Sequence, residues 1–411
     1  MNRIRNLNKK TIVYYLVVLT IATFIFSEYV YYGPFQPISD LIDEIKVKYV
    51  IMAFSAFLFF LIIITRKKKL FKNGVFLREA KLYLIAIGTL IIITLVYQIK
   101  NGFKSFVVME FMYLLLPLVF VILIVSVDYI NITRILDACF WVVVVVFVLG
   151  NISLLNPSSF MSISFSDSFS PFENGSSMIF VLFELYFLIR YGKRNEKSLI
   201  CLVITILTLK RLCVIKAILI FIFVPMIKNK KIPRWVFIVT IVFFCCMPFL
   251  LELLYSNAFA TFVITKYGID FNDFTMDRFT RTAYVFEHLD QIKYGYGSVA
   301  YFLSNNYIKT TAINRSLHSD LLSIYLECTF VGTLVYNVSY FLAAKKNIIS
   351  FILMIHIFTE MIINHPIGAG TVGNWIIIYL MIAYFNYRRD VPFYKEGLIK
   401  RKKIKLGRIE I

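Results

Sequence analysis

Several kinds of enzyme machinery are missing from this chain. It holds no P-loop, no Rossmann-type glycine turn and no Cys/His cluster at metal-ligand spacing, so nucleotide-binding and zinc-type motifs give no lead. An Asp-x-Asp element, which would hold a nucleotide-sugar metal on the cytoplasmic side, is also absent. Histidines number four and cysteines six. The cysteines (139, 201, 213, 245, 246 and 328) all lie in apolar runs and the exposed outer connectors have none. They read as small core hydrophobes, not ligands or disulfides. No alternating apolar/polar pattern accompanies the apolar runs, which excludes a strand-built barrel. No strong repeat and no soluble catalytic domain can be found. The first apolar run follows Arg3, Arg5, Lys9 and Lys10 without a small-residue cleavage site, so it is expected to stay as a signal anchor.

What fills the chain is hydrophobic helix. Of 411 residues, 59% are apolar and the mean hydropathy is +0.76. Crossing roughly 30 Å of hydrocarbon takes about 20 mostly apolar residues. Twelve candidate stretches lie near 11–27, 49–65, 82–98, 106–126, 135–155, 177–191, 198–209, 212–227, 234–254, 318–344, 348–364 and 371–387. The seventh and eighth are short and meet at Lys210-Arg211. The expectation is an all-α polytopic membrane protein with about 12 transmembrane helices. Residues 1–254 would hold about nine, 255–317 one large outward (periplasmic) loop containing short helices, 318–387 about three, and 388–411 a basic cytoplasmic tail.

The net charge of +20 would suggest nucleic acid if it were not so unevenly distributed. With the N-terminus inside, 31 of the 44 Lys and Arg fall in inward segments and 12 in outward ones. Positive charge gathers on the cytoplasmic side, so both termini are expected inside and the long loop outside. The tail suits anionic lipid, and no nucleic acid is expected.

Connections beyond about 12–15 residues without structure are usually functional, which directs attention to 255–317. Within it, 277–293 has helical periodicity. Arg278, Arg281 and His288 share one stripe about 80° wide, and Phe279, Phe286 and Leu289 form the neighbouring one. That predicts a helix lying on the membrane, apolar side down. Lys293 follows, then Gly295 and Gly297 beside Tyr294 and Tyr296, which read either as a turn or as aromatic faces for sugar stacking. His318 opens the tenth apolar stretch and is the natural general base outside the cytoplasm. Asp320 is near enough to orient it or compete with it, and Glu327 lies on the same helical face as Asp320. His365 and His288 are weaker candidates, and mid-stretch His356 reads as a packing residue. Lys210 and Arg211 either snorkel or bind pyrophosphate, for which a guanidinium fork and an ammonium are suited. Glu110, Glu184, Lys216 and Glu327 are costly inside hydrocarbon; they could line a polar cavity, form ion pairs or carry protons. Glu173, before the sixth stretch, is either a capping residue or a carboxylate at a site mouth.

Four places together resemble the O-antigen polymerase and ligase group of bacterial envelope proteins, the Wzy-type polymerases in particular. Thr208-Leu-Lys-Arg211 is similar to its basic motif at the start of a mid-chain span. Phe172-Glu-Asn-Gly-Ser-Ser resembles its Glu-Pro-Ser element, with Pro171 before the Glu instead of after it. Arg278 to Gly297 is similar to an Arg…Gly-x-Gly stretch. Leu317-His-Ser-Asp through Glu327 to Gly332 resembles a His-Asn/Ser…Glu-x-Gly-x-x-Gly signature, with Cys328-Thr329 where a Gly is usual. The resemblance implies a GT-C-like glycosyltransferase of the cytoplasmic (inner) membrane that polymerises undecaprenyl-pyrophosphate-linked oligosaccharide repeat units into O-antigen or capsular polysaccharide at the outer face. It implies catalytic roles for His318, Asp320 and Glu173. Pyrophosphate or sugar would be met by Arg211, Lys210, Arg278 and Arg281, with Tyr284, Gly295, Gly297 and Glu327 completing the substrate contacts. No metal or other cofactor is implied. The partners implied are the lipid-linked oligosaccharide, the bilayer, a chain-length regulator and a repeat-unit flippase. An O-antigen ligase acting on lipid A-core and a non-enzymatic lipid-linked oligosaccharide flippase remain alternative readings.

Overall fold

The structure is a computed structural model that describes residues 2–30, 34–65, 76–128, 132–164, 170–173, 175–227, 232–268, 270–271, 275, 278–292, 295–307, 317–367 and 371–387. The tail 388–411, Asp277, Lys293 and Tyr294 lie outside the described residues. All twelve apolar stretches coincide with helices. In chain order the helices are α1 (Asn2–Tyr29), α2 (Gln36–Glu44), α3 (Val47–Thr65), α4 (Leu77–Asn101), α5 (Phe106–Asp128), α6 (Ile132–Gly150) and α7 (Pro157–Met161). There follow α8 (Ser177–Tyr191), α9 (Glu196–Leu207), α10 (Arg211–Phe223), α11 (Arg234–Leu254), α12 (Asn257–Tyr267), α13 (Arg278–Glu287), α14 (Ser298–Asn306), α15 (Asp320–Ala344), α16 (Ile348–Ile363) and α17 (Val372–Tyr387). No β-strand occurs among the described residues.

Seven helices (α1, α3, α4, α5, α6, α11 and α15) are long and apolar enough to cross a membrane, as expected of a polytopic membrane protein. The others that match apolar stretches are shorter. At 1.5 Å per residue α9 and α10 reach only about 18 and 20 Å, against roughly 30 Å of hydrocarbon. They are separated because Leu209 adopts φ +48 and Lys210 is extended, a reversal that a straight helix cannot contain.

Two compact units emerge from the packing, one made of Met1–Val75, Phe120–Lys231 and Gly373–Ile411, the other of Phe76–Val119 and Ile232–Val372. In the first, α1 packs on α3 and α6, and α8 packs on both α9 and α10. The Arg190 guanidinium, on α8, pairs with Asp137 of α6 and donates to the Tyr186 hydroxyl oxygen at 2.8 Å. Glu184 of α8 is fully buried, and neither of its carboxyl oxygens has a hydrogen-bond partner among the described residues.

The second unit is organised around α15, which packs against α4, α11, α14 and α16. Two departures from ideal helix define it. Pro248 in α11 supplies no N–H to the Phe244 carbonyl four residues back; Asn337 Nδ2 of α15 donates to that carbonyl at 3.1 Å. Such substitution is how an apolar helix that contains proline keeps its backbone satisfied. Within α15, Thr329 has φ 63 and ψ 176. That region is essentially reserved for glycine, and a β-branched residue there is strained.

Candidate functional site

The first turn of α15 builds a polar constellation inside the second unit. Ser319 caps the helix through Leu322 N–H at 3.3 Å, which puts Asp320 in the first helical turn. Asp320 is 3% exposed and both its oxygens are used. One accepts the Ile367 amide at 2.8 Å and the other pairs with Nδ1 of His365. The His365 side chain is 32% exposed. Burial by itself would push its imidazole down, but the Asp320 carboxylate, with Glu110 and Glu327 beyond it, holds it above its ordinary value. With Nδ1–H given to the carboxylate, Nε2 is the ring nitrogen left to take or release a proton.

Glu327 stands two turns further along α15 and is 3% exposed. It accepts the Gly297 amide at 2.9 Å and the Val299 amide at 2.8 Å, so one carboxylate satisfies two free N–H groups at the start of α14. Gly297 has φ +89, and a Cβ there would come within 2.4 Å of Glu110 Cγ. Gly295 has φ +88 and lies as tightly against Thr94 of α4, whose hydroxyl accepts the Tyr296 amide at 3.0 Å. The Gly-Tyr-Gly segment is therefore a buried turn fitted to α4 and α5. Glu110, Tyr296, Asp320, Ser323, Glu327 and His365 line one cavity of about 20 Å³, room for about one water molecule.

His365 thus makes the contact that the sequence assigns to His318. His318 is half-buried two residues before Asp320. The pairing with His365 joins residues 45 apart, and no local spacing announces it. From the sequence, His365 in His-Pro-Ile-Gly on the last outward turn is only a weaker candidate.

The loop helix forms where the periodicity puts it, but its covered face differs. α13 buries Thr282 and Val285, and Val285 joins a core with Met247, Leu251, Phe302, Leu317 and Leu322. Leu289, expected on the membrane side, is 39% exposed. The apolar surface that α11, α14 and α15 offer takes Val285, which lies outside the stripe of Phe279, Phe286 and Leu289 that hydropathy gives to lipid. Tyr284 is held in an aromatic cluster, its ring 5.5 Å from Phe302 and 5.2 Å from Tyr307. The Arg281 guanidinium lies over the Tyr307 ring at 5.9 Å, and Arg278 is near enough to Tyr255 to act on its hydroxyl.

Glu173, Lys210 and Arg211 belong to the first unit. Ser170 Oγ donates to the Leu207 carbonyl at 2.5 Å, which ties the turn carrying exposed Glu173 to the end of α9, just before Lys210-Arg211. Lys210 is the half-buried N-cap of α10 and Arg211, its first residue, is exposed. The N-cap position of α8 is held by Ser176, not Glu173, and without a side-chain capping hydrogen bond.

No protein-family model matches the chain, and no curated protein or solved structure does either.

Proposed function

We propose that this protein polymerises oligosaccharide repeat units carried on undecaprenyl pyrophosphate, at the outer face of a bacterial cytoplasmic membrane, and that His365 paired to Asp320 is its proton acceptor. The observation that carries the reading is that pair, formed by the first residue of the helix that opens directly after the long loop and a histidine just beyond the end of α16. A sugar hydroxyl attacking a glycosyl pyrophosphate must lose its proton as the new bond forms. An imidazole oriented by a carboxylate supplies that function, typically 10²- to 10⁴-fold in rate. The hydroxyl oxygen bonds to the anomeric carbon, the carbon–oxygen bond to the diphosphate breaks, and the proton passes to Nε2. Lys210 and Arg211 keep the pyrophosphate role on their sequence motif alone.

A second support comes from Thr329. It stands where the resembled Glu-x-Gly-x-x-Gly signature has glycine, and its backbone has the conformation that favours glycine. Physical need and motif coincide at this position.

To test the proposal, His365→Ala, His318→Ala and Asp320→Asn would be expressed in place of the native chain and the polysaccharide ladder examined. Loss of long chains in His365→Ala, with single repeats still transferred, is the expected result. Normal chain lengths at normal protein levels in that variant would remove the role of His365. Loss of all transfer, single repeats included, would point to a ligase. A carrier for the lipid-linked oligosaccharide is the second reading, favoured by the unpartnered buried carboxyl of Glu184, a feature suited to ion-driven transport. A carrier defect leaves single lipid-linked repeats at the inner face; a polymerase defect leaves them at the outer face.

A further inference from the structure

A second buried polar group lies at the end of α1, within the first unit and apart from the residues assigned to acid–base chemistry. Glu28 is 6% exposed and Asn374, on α17, is 2% exposed. Asn374 Nδ2 donates to Glu28 Oε1 at 2.5 Å and to the Tyr29 hydroxyl at 2.7 Å. The remaining oxygen of each side chain, Glu28 Oε2 and Asn374 Oδ1, has no hydrogen-bond partner among the described residues. Both are acceptors, on side chains already joined to one another, and both are shut off from solvent. A buried acceptor left unmade is destabilising, and a buried carboxylate far more so.

The surrounding charge points the same way. Lys48 on α3 is the nearby cation, yet it is engaged elsewhere. Its ammonium donates to Ser27 Oγ at 3.0 Å and pairs with Asp43. The titratable neighbours of Glu28 are Tyr29 and Lys48, and Lys48 is already paired with Asp43, so an ionised Glu28 would leave one surplus negative charge. Adding a donor hydrogen bond would satisfy one oxygen; adding a single positive charge between the two satisfies both and neutralises the group.

We propose that Glu28 and Asn374 form a binding site for one monovalent cation, coordinated by Glu28 Oε2 and Asn374 Oδ1. The cation has two sources, a proton or an alkali-metal ion, and the site chemistry is shared. With a proton, Glu28 Oε2 becomes a donor to Asn374 Oδ1 and closes an acid–amide ring. With an alkali ion, the same two oxygens act as ligands. The site does not depend on the polymerase reading, which asks for no cation. It would couple the first unit to the proton or sodium gradient across the membrane.

The test uses the full-length protein in lipid nanodiscs and dicyclohexylcarbodiimide, which attacks protonated carboxyls in apolar surroundings. The carboxyl O–H adds across one C=N bond and the acyl group then migrates to nitrogen, leaving a stable adduct that peptide mass spectrometry assigns to Glu28. Labelling is measured from pH 5.5 to 8.5 in choline, sodium, potassium and lithium chloride at one ionic strength. A proton site gives labelling that falls as pH rises and is indifferent to the salt. An alkali site gives at least tenfold protection by one alkali ion over choline at fixed pH. Thermal unfolding of wild type and Glu28→Gln in the same conditions provides the second readout, with the salt or pH response present only in wild type. The proposal is overturned if Glu28 stays unlabelled throughout, or if its labelling and the unfolding temperature ignore both pH and cation. Because the labelling reads the unmodified chain, a misfolded variant does not rescue or sink it. Loss of the polysaccharide ladder in His365→Ala bears on the other unit and leaves this result untouched.

Discussion

Asp320→Asn isolates the electrostatic part of the His365 pair, because the amide keeps the side chain's shape. Its oxygen can still accept the Ile367 N–H that wild type holds at 2.8 Å. What disappears is the negative charge on the His365 bond. A hydrogen bond to a charged group contributes about 1.5–3 kcal/mol and a neutral one about 0.5–1.5, so the variant should lose about 1–2 kcal/mol. The sign of its pH dependence follows from linkage. His365 is held above its ordinary value by Asp320, so the pairing stabilises the fold fully below the unfolded imidazole value near 6.5. That contribution fades as pH rises through the higher folded value. The stability gap between wild type and Asp320→Asn should therefore be widest near pH 6 and narrower near pH 9. Diethylpyrocarbonate reports the imidazole directly, since it modifies only the neutral ring. The midpoint of His365 modification should move to lower pH in the variant, where burial acts without its largest opponent. Superimposable modification curves for the two proteins would refute the reasoning, whatever the effect on polysaccharide.

Three further outcomes follow from the packing. Glu327→Gln turns an amide donor toward one of two backbone donors, and should cost about 2–4 kcal/mol, seen as earlier unfolding and faster deuterium exchange across 297–306; unchanged exchange there would remove the clamp. Glu184→Leu replaces a buried carboxyl that has no hydrogen-bond partner and should stabilise by about 1–3 kcal/mol; a lower unfolding temperature would show that the carboxyl is satisfied in the membrane. Thr329→Gly relieves about 1–3 kcal/mol of backbone strain against about 0.5–1 of added chain entropy. It should unfold at a slightly higher temperature with polysaccharide length retained, and a clear loss of stability would contradict the left-handed backbone.

Much of the helical plan was readable from hydropathy, because an apolar run long enough for a helix has few other ways to satisfy its backbone. The break between α9 and α10 was marked by Lys210-Arg211, and α13 by its periodicity. Partner choice was not readable. His365 meets Asp320 across 45 residues and Glu28 meets Asn374 across 346, distances over which spacing carries no information. Periodicity showed which α13 residues share a stripe but not that Val285, outside the apolar stripe, would pack with Met247 and Leu322. The glycines at 295 and 297 were legible as a turn; their fit against Thr94 and Glu110 belongs to tertiary structure. Twelve helices appear where twelve apolar runs were expected, while only seven have the length and apolarity of a span.

The interruption at Thr329 divides α15 into two mechanical parts. Residues 320–328 are fastened, through Glu327, to the amides that begin α14, whereas 330–344 continue beside α4 and α11. A left-handed β-branched residue stays bent only while both flanks are gripped. Damage at Gly297 or Val299 therefore frees the bend as well as the turn, and a straightening helix would carry Asp320 off its histidine two turns away.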